Sequence, residues 1–170
     1  GLLLFRSRDI SGPPVDLSLS SREFSLLMSI WLLMLIAIIV LAGTSWPLIT
    51  TALGNPGTAD PAVYNRITFP LAVVIAVLVG FSPHMFWKET SVGQVLKKAA
   101  LAAILALIVA ILSFFLGLDN ASYGFFVFAA AFAFFSNIIA LRKYLPGGIN
   151  RAGAPVAHFG LALMLIGILG

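Results

Sequence analysis

No cysteine occurs among the 170 residues, so disulfides, thiolate metal sites, thiol redox chemistry and thioether attachment of a prosthetic group to this polypeptide are all excluded. Charge is nearly as scarce. Asp, Glu, Lys and Arg make up 9% of the chain and hydrophobic residues 61%, where a soluble domain would carry about a quarter charged residues. With a mean hydropathy of +1.08, the chain has more apolar surface than a soluble core of this size can hide, and it reads as a membrane protein. There is no Gly-rich phosphate loop, no carboxylate pair and no Ser-His-Asp set. None of the long apolar runs contains a charge, which argues against a proton or ion pump. The net charge of +4 does not point to nucleic acid, because the cations lie in short loops without interleaved aromatics.

What remains is a series of apolar runs, and these predict an all-α fold: a polytopic transmembrane helix bundle of about five spans, near 24–43, 69–87, 99–116, 123–141 and 155–170. No soluble domain or internal repeat is visible. Gly12-Pro13-Pro14 breaks any helix in the polar stretch before the first span, and Ser20 or Ser21 is placed to cap that span. Gly43-Thr44-Ser45-Trp46-Pro47 closes it, with Trp46 suited to the headgroup layer. A turn-rich stretch, 48–68, leads to the second span, which Gly80 and Pro83 interrupt. Gly117-Leu118-Asp119-Asn120 turns the third span into the phenylalanine-rich fourth, whose rings read as lipid-facing or packed bulk. The opening Gly1-Leu-Leu-Leu and the short final run are expected of an internal fragment of a larger membrane protein.

Basic residues set the orientation. Of ten Lys and Arg, three lie before the first span (Arg6, Arg8, Arg22), three between the second and third (Lys88, Lys97, Lys98) and three between the fourth and fifth (Arg142, Lys143, Arg151). Arg66 is the tenth. Those three loops are expected at the cytoplasm, with the N-terminus there and the C-terminus toward the outer side. Arg66 then lies outside, as an interfacial anchor or the mate of an acidic group.

Against this apolar background His158 stands out. An imidazole about one turn inside a membrane helix is costly unless something binds or pairs with it, so it is a candidate metal or proton-relay site. At about 1.5 Å per residue, His158 lies roughly 5 Å from Pro155, Asn137 roughly 7 Å from Arg142 and His84 roughly 6 Å from Lys88. Three spans therefore bring polar groups to one cytoplasmic-side layer. Two imidazoles at one depth can share a metal, and an amide can orient a ligating ring through its second nitrogen. The bland roles stay open: His84 reaching headgroups near its helix end, Asn137 and Ser136 joining helices. Ala157, Gly160 and Gly167 lie near one face of the last span and would let a helix or flat cofactor come close.

Three stretches, taken in order, resemble the CcmF family, the haem lyase subunits of bacterial cytochrome c maturation. They are Ser21-Arg22-Glu23-Phe-Ser-Leu-Leu before a span ending in Gly43-Thr44-Ser45-Trp46-Pro47, then Pro61-Ala-Val-Tyr64-Asn65, then Ala157-His158-Phe159-Gly160-Leu-Ala with Ile166-Gly167. The resemblance implies a multi-pass bacterial inner-membrane protein that joins haem to apocytochrome c outside the membrane. It implies as partners a haem carrier, apocytochrome c, other haem lyase and maturation subunits, and the lipid bilayer. It also implies a haem b within the membrane, and His158 matches one of that haem's axial histidines. The family's tryptophan-rich segment, its external histidines and its other membrane histidine are missing, so the resemblance implies a fragment without lyase activity of its own. His84 matches no family position. A cofactor-free structural or permease-like subunit, in which His158 hydrogen-bonds a neighbouring helix, is the alternative.

Overall fold

The computed structural model describes residues 17–55, 57–58, 60–85 and 91–168. These form five α-helices: α1 (Arg22–Ala52), α2 (Pro61–Phe81), α3 (Val92–Phe115), α4 (Ala121–Tyr144) and α5 (Ile149–Gly167). Short 3₁₀ turns, Ser82–His84 and Leu145–Gly147, extend α2 and α4. No strand occurs among the described residues. The polar stretch with Gly12-Pro13-Pro14 lies outside the described residues.

The helix starts are set by short polar side chains that satisfy otherwise orphaned backbone N–H groups. The Ser21 hydroxyl accepts from Phe24 N at 3.0 Å, Asp60 from Ala62 N at 2.8 Å and Asn120 from Ser122 N at 2.8 Å. Gly148 precedes α5 at φ 97°, a left-handed conformation that glycine adopts without steric cost.

The helix α1 departs from expectation by running through Pro47 to Ala52. Pro47 removes one N–H, yet where water is scarce an unpaired backbone costs more than a local kink. The threonines around it bond back to the same helix, Thr50 to Trp46 O at 2.9 Å and Thr51 to Pro47 O at 2.7 Å. Likewise α5 begins before Pro155 and contains it. Four helices, α1 to α4, are long and apolar enough to cross a membrane, and the apolar part of α5, Ala152–Gly167, is shorter.

The centre of the bundle is α4, which packs against α2, α3 and α5, while α1 touches α2 alone among the main pairings. Of α4's most apolar window 56% is buried, against 6% for α1, so α1 presents nearly all its surface to lipid or to partners. Small residues make the close seams. Ala99, Ala102, Ala106 and Ala110 recur every three to four residues along α3 and are buried against α4, where Ala131 and Phe132 meet them. A second cluster joins Val73 and Ala76 of α2, Phe126, Ala129 and Ala130 of α4, and Leu165 of α5. Helices in lipid associate by such backbone approach, since apolar area alone gives no preference for protein over lipid tails.

Candidate functional site

In α5 the buried positions Ala152, Pro155, Ala162 and Leu165 lie three, seven and three residues apart, which at 3.6 residues per turn makes one stripe. His158, three residues after Pro155 and four before Ala162, lies within that stripe and is partly buried. Its neighbour Phe159 meets Phe134 of α4 with ring centroids 5.0 Å apart, and Leu165, two turns on, is locked into the α2–α4 cluster. The helix is therefore held in a rotation that turns His158 toward the bundle rather than toward lipid. No hydrogen bond to His158 is found among the described residues. Arg22, at the start of α1, is within electrostatic range of the ring.

His84 and Asn137 come together elsewhere. The 3₁₀ turn after α2 carries His84 inward, where it is buried and its Nε2 lies 3.2 Å from Ser136 Oγ. Beside it Asn137, fully buried, donates through Nδ2 to Val79 O of α2 at 3.2 Å and to Ala133 O of its own helix at 2.8 Å. Its Oδ1 is buried without a hydrogen-bond partner. Lys98 and Lys143 are within electrostatic range of His84.

Depth along the helices puts His84, Asn137 and His158 in one layer, and of the three the structure brings His84 and Asn137 into one polar cluster. It joins neither to His158 by a hydrogen bond. Ser136, the partner of His84, was visible in sequence only as the neighbour of Asn137; that it shares a depth with His84 was the available signal. Ala157, Gly160 and Gly167 are exposed, with open space at both glycines, so no described helix uses that small-residue face. Among the described residues no group of three or more His, Cys, Asp and Glu is arranged to hold a metal.

Over 164 residues, 89% of its length, the chain is 30% identical to the cytochrome c-type biogenesis protein Ccl1 of Rhodobacter capsulatus. Over 171 aligned positions, 88% of its length, it is 29% identical to the cytochrome c-type biogenesis protein CycK of Bradyrhizobium diazoefficiens. The chain is thus similar to cytochrome c-type biogenesis proteins. The chain spans about a quarter of the length of each, 25% in both cases. No family model and no solved structure matches it.

Proposed function

We propose that this chain is a membrane segment of a bacterial cytochrome c haem lyase, and that His158 supplies one axial ligand of a haem b held within the membrane. The observation that carries the reading is the ring itself. It faces the bundle from the buried stripe of α5, next to the Phe159–Phe134 contact, and no described residue hydrogen-bonds it. At membrane depth such a group needs a mate, and iron is one that neutral imidazole binds well. A haem between two imidazoles is six-coordinate and suited to electron transfer.

The residues fit such a group as a one-ligand contribution. His158 presents a ring nitrogen, its neighbour Phe159 packs its ring on Phe134, and Leu165 fixes the helix rotation that aims it. Ser136 already engages His84 Nε2, which leaves His84 and Asn137 the work of joining α2 to α4. Similarity to two biogenesis proteins over nearly nine-tenths of the chain supports a role in cytochrome c maturation. Attachment of haem to apocytochrome c, with delivery by a haem carrier and help from other maturation subunits, is assigned to the longer protein at the outer face of the inner membrane.

Reduced-minus-oxidised absorption spectra of the purified full-length protein test this. His158→Ala is expected to lose the b-type bands while His84→Ala keeps them. Full haem absorbance and reducibility in His158→Ala would sink the assignment, and colourless wild-type protein would favour a cofactor-free membrane subunit.

A further inference from the structure

At the end of the bundle opposite Lys98 and Lys143, the starts of α2 and α4 and the end of α5 line an open cavity of about 590 Å³. Its rim is polar, with Asn65, Arg66 and Asn120. Its floor is aromatic and apolar. The Phe69 ring stacks on Phe126 at 5.4 Å and meets Tyr123 edge-on at 5.6 Å, with Leu165 closing the far side. Arg66 is exposed, and no hydrogen bond or ion pair to it is found among the described residues. It is also the one cation of ten outside the three basic loops.

We propose that this cavity is a binding site for an anionic phospholipid, its phosphate held by Arg66 and one acyl chain lying on the Phe69–Phe126 floor. Three observations select that occupant. A guanidinium presents a fork of donors matched to phosphate oxygens, and the positive end of the α4 dipole, whose start lines the same rim, adds attraction for an anion. Arg66 lies three residues before Phe69, where the apolar run of α2 begins, the boundary at which a membrane supplies phosphate. The apolar floor would stay unfilled by a free inorganic anion, whereas an acyl chain covers it. This proposal does not depend on the haem reading.

Native mass spectrometry of the full-length protein, titrated with phosphatidylglycerol, phosphatidylcholine or inorganic phosphate, tests it. Wild type is expected to hold phosphatidylglycerol about tenfold more tightly than phosphatidylcholine, because the choline cation competes with the Arg66 guanidinium for the shared phosphate and weakens that charge-assisted contact. Arg66→Gln is expected to erase that preference, Arg66→Lys to restore part of it, and Arg142→Gln to leave it unchanged. Equal affinity for the two lipids, or selectivity that survives Arg66→Gln, overturns the proposal. So does displacement of the lipid by inorganic phosphate at equal concentration, which would mark the site as one for a free anion.

Discussion

Asn137 is the residue on which the α2–α4 joint turns. Its amide group spans from its own helix to Val79 O across the interface. Interhelical hydrogen bonds in membranes average roughly 0.6 kcal/mol and reach about 1.7, so Asn137→Ala, which also opens a small void, is expected to destabilise the protein by about 1–2 kcal/mol. Ser136→Ala, which releases His84 Nε2, should cost less, about 0.6 kcal/mol. Reversible unfolding in mixed micelles measures both, and equal or negligible losses would contradict this assignment of weight. The polar residues themselves were legible in sequence, because amides and imidazoles stand out in apolar runs. Which of them pair was not, since depth along a helix is a one-dimensional quantity and pairing also needs rotation about each axis.

Among the elements, α4 shows how small residues convert a greasy helix into a hub. Its hydrophobicity is spread around its circumference, as expected for a helix packed on several sides, and α2, α3 and α5 all lean on it. At Gly80 of α2 an added Cβ would run into the Phe132 ring and come within 3.3 Å of Ala133 N. Overpacking of this kind typically costs about 1–3 kcal/mol, so Gly80→Val is expected to lower the melting temperature of the detergent-solubilised protein by several degrees. Gly160→Ala, placed in open space on α5, should leave it unchanged or raise it slightly, as removal of a helical glycine does. A melting temperature untouched by Gly80→Val would mean that α2 and α4 do not meet as described. The sequence announced Gly80 only as an interruption; its use as a seat for Phe132 depends on a partner 52 positions away.

For the whole molecule, the charge asymmetry of the loops makes orientation testable, and the absence of cysteine gives a clean background. In intact spheroplasts, Asp119→Cys is expected to react with an impermeant maleimide and Gly147→Cys to react only after lysis. The reverse pattern would invert the topology. The number of helices and their apolar character were legible from composition and hydropathy, and the start of α1 from its capping serine, because those are properties of contiguous residues; α2, α3 and α5 begin six to eight residues before the apolar runs that announce them. The candidacy of His158 was legible too, since a titratable ring in an apolar run is costly wherever the helix packs. Tertiary structure alone decided that α4 is central, that α1 stands almost unburied at one side, that His84 is engaged by Ser136, and that Arg66 overlooks an aromatic cavity. In a membrane every helix is apolar all round, so the signal that tells a soluble helix which face to bury is missing. Neighbours are chosen instead by close fit between small residues and rings distant in the chain, and that fit exists only once the helices have met.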